Sequence, residues 1–437
     1  MVRFAPPVTD DLALARLQAA AVGYVLARRR GIDWVLRIDD TAPQPHAQSD
    51  DTPIKQLLEK CALQWDHLAY RSANLSRYQS LAAALVEQSK AYICTCGLSP
   101  HAPTDGANTP LQSADRCDGS CIRQDAQTLR RIREEHRPYV IRIHAPEAPV
   151  VFEDAIRGSV RFEPDAIDGF VLIRADGSAT EDFACAVDDM LGGITAVVEA
   201  DDHLLRFARQ CHVRRQLGYT APIDAAHLPP LETTAPFPAT LRGALEEGFV
   251  PDAILNLLLH PGDEAPPLFT LPDAVTQLDL SDFARGHTHY TLADLRALNR
   301  AHIRRMEDKA VSRLYGFADS DIGRLVKLYL DHAATLPELD GYIRPFFAPK
   351  PCAGEHEASM RLLADAIARM PILREYDGLI DYLQEATGLE GEALTVPLRL
   401  LMTGSATGPA LEAIYPLIQS YITEVARCPH SSSHSSS

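Results

Sequence analysis

The 437-residue chain carries 42 Lys and Arg against 59 Asp and Glu, a formal net charge of -17. That balance excludes a protein that coats nucleic acid non-specifically, because such binding rests on many Lys or Arg contacts to phosphate, although a local basic face stays compatible with it. A 46% hydrophobic and 23% charged composition is that of a globular protein of about three domains, and no apolar run approaches the roughly 18 residues that cross a bilayer.

The chain opens as strand, helix, strand. Val2 to Ala5 is short and apolar, Leu12 to Ala27 has helical apolar spacing closed by Gly31, and Asp33 to Ile38 is extended. The Ala-rich helix ends in Arg28, Arg29 and Arg30 in the manner of a targeting peptide, but Asp10 and Asp11 precede it, so it reads as an ordinary buried helix. A parallel βαβ unit places Asp39 and Asp40 just past the carboxyl end of the second strand, where doubly wound sheets bind ligands. Strand-like Gly169 to Ile173 and a helical run after Asp202 predict that this sheet resumes later. The intervening cysteines would then lie in an insertion.

Nine cysteines are too few for a disulfide scaffold in a chain of this length, and the simplest expectation is a reduced, cytoplasmic protein with one metal site. Cys94-Thr-Cys96 and Cys117-Asp-Gly-Ser-Cys121 form two close thiol pairs with the spacing of a closed, structural four-thiolate zinc site. Cys117 sits among Asp115, Arg116, Asp118 and Gly119, whereas a free cysteine prefers apolar surroundings. Cys61, Cys185, Cys211, Cys352 and Cys428 are isolated and read as core or surface residues. Arg130, Arg131, Arg133, Arg137 and Arg142 surround Tyr139 as a candidate phosphate-facing surface, yet Glu134 and Glu135 alternate with them at helical spacing, which favours a plain solvated face. Arg304, Arg305, Lys309 and Arg313 form a second such cluster.

Beyond about residue 240 the pattern is mainly helical, with amphipathic stretches at Ala253 to Leu259, Leu292 to Arg305 and Ser320 to Ala334 between Pro and Gly turns. The closing His/Ser tract is low-complexity and reads as a disordered tail, with His430 and His434 as weak metal ligands at most.

Several segments together resemble glutamyl-tRNA synthetases, class I enzymes, and they occur in the family's order. They are Arg3-Phe4-Ala5-Pro6, Val35 to Thr41, Asp168 to Gly177, Ala186-Val187-Asp188-Asp189 with Gly193-Ile194-Thr195, Leu298-Asn299 with His302-Ile303-Arg304, and Pro397-Leu398-Arg399 with Thr403-Gly404-Ser405. The cysteine pairs are similar to those of zinc-bearing members, with Cys117 where a Tyr is common. The resemblance spans nearly the whole chain, to about Arg427. It implies a multidomain α/β plus α fold. A Rossmann-type domain would occupy 1–93 and 182–222, with a zinc-bearing acceptor-end insertion at 94–181. A stem-contact region would follow at 223–310, then a helical anticodon-binding-like domain at 311–428 and a tail at 429–437. Retention of the last domain disfavours the shorter synthetase-like enzymes that modify a tRNA base.

The chain departs from the family where chemistry is done. The family's ATP motif, whose imidazoles stabilise the α-phosphate at a helix N-terminus and whose Gly admits the nucleotide, here reads Ala13-Leu14-Ala15-Arg16. Ala13 removes a donor, Ala15 adds a side chain, and Arg16 brings charge of a different shape. The Lys-rich loop expected after His227-Leu228-Pro229 is replaced by Pro230 to Pro238, which contains no Lys. In the implied amino-acid pocket Arg3 and Ala5 are kept. A family Ser is Pro7, a Glu is Asp39, and a Tyr, an Asn and an Arg are Glu181, Cys185 and Glu199. Glu199 would repel glutamate unless screened, and Glu181 and Glu199 read equally as solvated or as paired with nearby Arg.

The preferred expectation is a divergent paralogue that keeps the tRNA-shaped scaffold and structural zinc and has lost ordinary ATP-dependent glutamylation. It would bind tRNA, through the Arg130 to Arg137 and Arg304 to Arg305 clusters, or a protein partner. One rival is an aminoacyl-tRNA ligase or aminoacyl-transfer enzyme with altered substrate, using Arg3, Arg16, Asp39 and Asp40 and requiring ATP if it ligates. Another is a protein-interaction module without tRNA.

Overall fold

The computed structural model describes residues 1–41, 50–96, 117–124, 126–261, 267–285 and 288–428. The terminal His/Ser tract, with His430 and His434, lies outside the described residues. The chain forms two compact units, Met1–Gly243 with Leu255–Leu292, and Ala244–Ile254 with Ala293–Ser437.

The first unit is built on a seven-stranded sheet. Its strands are β1 (Val2–Phe4), β2 (Trp34–Ile38), β3 (His67–Tyr70), β6 (Val150–Asp154), β7 (Gly158–Phe162), β9 (Ala196–Ala200) and β10 (Asp224–Leu228), in the order β3-β2-β1-β9-β10-β6-β7. All neighbours run parallel except the β6-β7 hairpin. β1 and β2 are buried along their whole length, as expected of parallel strands covered on both faces. Helix α1 (Leu14–Arg30) crosses between them with eleven buried residues. It ends at Gly31 in the left-handed region, and Arg28, Arg29 and Arg30 complement the dipole of its last turn. The βαβ opening is therefore as the sequence reads.

A second, three-stranded antiparallel sheet contains β4 (Ala91–Cys94), β5 (Val140–Ile143) and β8 (Val171–Ile173) in the order β4-β5-β8. Here the structure differs from the sequence reading. β8 does not resume the main sheet; it pairs with β5, and the main sheet resumes at β9. The β6-β7 hairpin, inside the span assigned to the insertion, belongs to the main sheet, and β10 completes that sheet beyond residue 222. The hairpin reaches β10 through Ala225 opposite Asp154. Asp154 also accepts hydrogen bonds from the His227 backbone N–H at 3.1 Å and ring Nδ1 at 2.7 Å. A core of Tyr78, Leu85, Ile143, Phe170, Phe183, Val187 and Val213 joins the small sheet to α3 (Leu75–Glu87), α6 (Glu181–Leu191) and α7 (Leu204–Gln216).

The second unit is helical. Its helices include Leu292–Arg305, Asp308–Leu314, Ser320–Leu328, Leu336–Phe347, Glu357–Arg369, Tyr376–Thr387, Glu392–Thr403 and Leu411–Ile418. The stretch read as one helix to Ala334 stops at Leu328, and a turn carries buried Tyr329, Leu330, Ala333 and Ala334. Gly248 adopts φ +88°, and a Cβ there would stand 2.2 Å from Pro337 Cδ, so this turn admits no side chain. Buried Asn299 closes the same corner, accepting from Val250 N–H at 2.8 Å and donating to the carbonyls of Ala334 and Gly248 at 2.6 and 3.2 Å. Cys352 and Cys428, read from sequence as isolated, are joined as a disulfide across 76 residues.

The Asp154–His227 pair is fully enclosed. Asp154 accepts and therefore assigns the ring proton to Nδ1, while Nε2 has no hydrogen-bond partner among the described residues and the ring packs against Phe152 and Phe207. Burial opposes ionisation of Asp154, but His227 and the Arg157 and Ile156 N–H groups hold its pKa below the ordinary value. A lowered carboxyl pKa stabilises the fold above about pH 4 and loses that contribution as pH falls through the folded value. Asp154→Ala is expected to cost about 3 kcal/mol in urea unfolding at neutral pH, and the deficit relative to the unsubstituted chain should shrink on acidification.

Candidate functional site

A cavity of about 410 Å³ opens at the carboxyl ends of β1, β2 and β9, against the first turn of α1 and the facing sides of α6 and α7. This is where a doubly wound sheet places its ligand. The structure brings together the pocket and ATP-motif positions that the sequence singles out: Arg3, Ala5, Pro7, Asp39, Glu181, Cys185, Glu199, Ala13, Ala15 and Arg16 each line it.

Its charged walls are largely paired with one another. Arg3, 5% exposed, donates from Nε to both oxygens of Asp189 at 2.8 and 3.0 Å and from Nη2 to Glu199 Oε1 at 2.6 Å. Arg37 donates from Nη1 to Asp189 at 2.5 Å. Arg71 pairs with Asp39 and donates from Nη2 to Cys185 Sγ at 3.0 Å. Arg206 pairs with Glu181 and, at 3.1 Å, with Asp182. Tyr78 donates to Asp188 at 2.6 Å. All three acidic residues that the sequence places in the pocket, Asp39, Glu181 and Glu199, are thus paired with arginine.

The titration of these groups follows. Burial would raise Glu199, yet Arg3 and His203 hold it well below the usual carboxylate range. Burial likewise opposes Glu181, and Arg206 lowers it. Burial outweighs Arg206 and Arg209 at Asp182 and raises it. The Cys185 thiol is pushed up by burial against the pull of Arg71, Arg37 and Arg3. Sequence reasoning quotes Arg37, Asp188 and Asp189 only as landmarks and does not single out Arg71, His203 or Arg206. Only His203, four residues after Glu199, stands at a local spacing from its counter-ion; the other partners reach theirs through the fold.

The structure also describes the positions of the expected ATP motif. Ala13 precedes α1 without a side-chain cap, and Leu14 N–H donates to Ala239 O at 3.1 Å. Ala13 bridges Thr240, and Leu241 N–H donates to Leu12 O at 2.8 Å. The chain from Pro230 reaches this contact by way of β11 (Leu231–Thr233), which pairs with β12 (Thr288–Tyr290). The segment expected to carry a Lys-rich loop thus returns directly to the start of α1. Arg16 is exposed and makes no ion pair with another described residue.

A family model described as tRNA synthetases class I (E and Q), catalytic domain, matches residues 1–232. The chain is 39% identical over 436 residues to "Glutamate--tRNA ligase 2" of Sulfurovum sp., covering 98% of this chain and 100% of that protein. It is 34% identical over 433 residues to "Glutamate--tRNA ligase 1" of Nitratiruptor sp., covering 97% and 100%. The chain belongs to the class I glutamyl-tRNA synthetase family. A crystal structure of a glutamate tRNA ligase from Elizabethkingia meningosepticum shares the fold, with a TM-score of 0.77 at 21% identity over 97% of this chain and 98% of that one.

Within this synthetase-family chain, the sulfurs of Cys94, Cys96, Cys117 and Cys121 lie within 4.8 Å of one another. Cys94 and Cys96 are 3.2 Å apart, and Cys96 and Cys121 3.6 Å. A tetrahedron of thiolates about 2.3 Å from zinc has edges near ~3.8 Å, so the four residues fit that ion with no position open to substrate. Although burial disfavours its thiolate, Cys121 is pulled down to about 6 by the Thr95 N–H and the Cys96 thiol.

Of the basic candidates near this cluster, Arg130 and Arg131 on α4 (Ala126–Glu134) and Arg137 after it are exposed. The Arg133 side chain lies outside the described residues. Arg142 is not on this surface. It is 2% exposed and donates from Nη1 to Gly169 O at 3.3 Å, on a strand largely covered on both faces. In the second unit Arg304, Arg305, Lys309 and Arg313 are exposed, and Arg304 pairs with Asp331 at 2.9 Å.

His203 lies 3.4 Å from Glu199 Oε2, and that hydrogen bond raises its pKa against the effect of burial. A raised histidine contributes stability fully below its unfolded value of about 6.5 and loses it as pH rises through the folded value. His203→Gln is therefore expected to be less stable than the unsubstituted chain on the acid side of neutrality and to converge with it as pH rises, as read from urea midpoints across that range.

Proposed function

We propose that this glutamate--tRNA ligase-like chain binds tRNA and has lost ordinary ATP-dependent activation of glutamate. The observation that carries the reading is the closure of the segment after Pro230 onto the start of α1. Nucleotidyl chemistry depends on cations that position and neutralise phosphates. At this end of the cavity Ala13 and Ala15 stand at the helix, Pro230 to Pro238 supplies no Lys, and Arg16 is the cation at the mouth. The paired state of Arg3, Arg71 and Arg206 supports the same conclusion for the amino-acid end.

Retained tRNA binding is supported by relatives named glutamate--tRNA ligase that align over 97 to 98% of the chain. We assign the small sheet and its thiols to contact with the acceptor end, the residues that follow β10 up to 310 to the stem, and the helical unit from 311 to the anticodon region. Exposed Arg130, Arg131 and Arg137 would face phosphate, as would Arg305 and Lys309. The four thiols would hold zinc as a purely structural ion, fixing the loop from Cys117 to Cys121 against β4.

Two experiments test this reading. Purified protein is expected to contain a single zinc ion per chain by metal analysis, and Cys121→Ser should lower both the zinc content and the melting temperature; metal-free protein with an unchanged melting temperature would overturn the assignment. In tRNA-dependent ATP–pyrophosphate exchange with glutamate, no signal above a no-enzyme control is expected, while the same preparation retains tRNA and releases it as salt rises. Exchange with glutamate would overturn the loss of activation. Exchange with another amino acid only would instead identify an altered ligase, and failure to retain tRNA would overturn the tRNA reading.

A further inference from the structure

Arg3 uses its two edges differently. Its Nε edge is held by Asp189, which lies behind the cavity wall and is held in turn by Arg37. Its Nη2 meets Glu199 at 2.6 Å, and Glu199, unlike Asp189, is a residue of the cavity lining. The contact with Asp189 is therefore part of the sheet's buried framework, whereas the contact with Glu199 occupies the side of the guanidinium that a ligand in the cavity would meet.

We propose that Glu199 is a built-in counter-ion that occupies the cavity-facing edge of Arg3 and closes the cavity to free carboxylate ligands, which makes it a specificity-determining residue. An internal carboxylate already positioned on the guanidinium gives up little freedom to bind it, while a free carboxylate must give up much more. A free acid would also have to displace Glu199, leave it with His203 as its partner among the described residues, and approach a second carboxylate at Glu181. Arg3 otherwise has the geometry of an acid receptor, since guanidinium forks bind carboxylates in preference to neutral groups. Neutralising Glu199 should open the cavity to a small dicarboxylate of the glutamate class.

This inference rests on the proposed loss of glutamate activation, and binding measured without ATP separates the two. Titration calorimetry of the full chain with L-glutamate and with glutarate is expected to show no saturable binding for the unsubstituted protein. Glu199→Gln should gain affinity, roughly tenfold or more, through the charge-assisted bond freed on Arg3. The double variant Glu199→Gln with Arg3→Met should lose that gain, which a merely structural role for Glu199 would not predict. Should Glu199→Gln fold poorly, Glu199→Asp keeps the buried charge on a side chain one methylene shorter and should show a partial gain. Absence of gain in folded Glu199 variants, persistence of the gain without Arg3, or equal binding by the unsubstituted chain would each overturn the proposal. Glutamate-dependent exchange by the unsubstituted chain would overturn the loss of activation, whatever the variants bind.

Discussion

The organisation of the first unit depends on keeping buried arginines paired. Arg3 and Arg37 project from the adjacent strands β1 and β2 into a nearly dry interior, and Arg71 joins them after β3. An unpaired buried charge costs several kcal/mol, so removing one partner penalises the whole group. Asp188 and Asp189 on α6 answer this demand. They couple that helix to two strands and to the turn after β3, all more than a hundred residues earlier in the chain. The group is not saturated. Nε of Arg37 and Nε of Arg71 both face Asp188 Oδ2 at 3.7 Å, beyond hydrogen-bond reach. A network of this kind specifies one arrangement more than it adds stability.

The same pairing governs what the cavity can do. A cleft that handles anionic substrates presents cations to them, and here most cationic side chains of the wall already hold carboxylates of the chain itself. Glu199 on Arg3, Asp39 on Arg71 and Glu181 on Arg206 each replace a ligand's charge with an internal one. On the proposed reading the fold persists while the chemistry expected of it is electrostatically closed, in keeping with function residing in side chains grafted on a scaffold rather than in the scaffold.

Around this centre, long-range contacts define the remaining modules. The β6-β7 hairpin is tied to β10 by the enclosed Asp154–His227 pair, and the small sheet joins the helices through the Tyr78, Phe170 and Phe183 core. The thiol cluster lies at the far end of β4, where Tyr92, Cys94, Cys121 and Val140 pack together. Each junction satisfies buried groups from segments distant in sequence, which allows the scaffold to be held while the cavity's residues change.

The sequence by itself determined the features that local period and spacing record. These are the opening βαβ unit, the two thiol pairs, the helical second half, the order of the family segments, the Ala residues of the expected ATP motif and the Lys-free stretch after Pro229. It also placed Arg3, Asp39, Glu181, Cys185 and Glu199 in one pocket, through their resemblance to a known pattern. Only the tertiary structure decided how those charges are spent. Arg3 meets Asp189 and Glu199 across 186 and 196 residues, Arg142 is turned into the core, the β6-β7 hairpin joins the main sheet, and Cys352 reaches Cys428. The physical reason is that strand and helix periodicities fix which face a residue presents. The partner it meets depends on the crossing order of the sheet, and that order is set by packing and by the need to pair buried charge, neither of which is written in neighbouring residues.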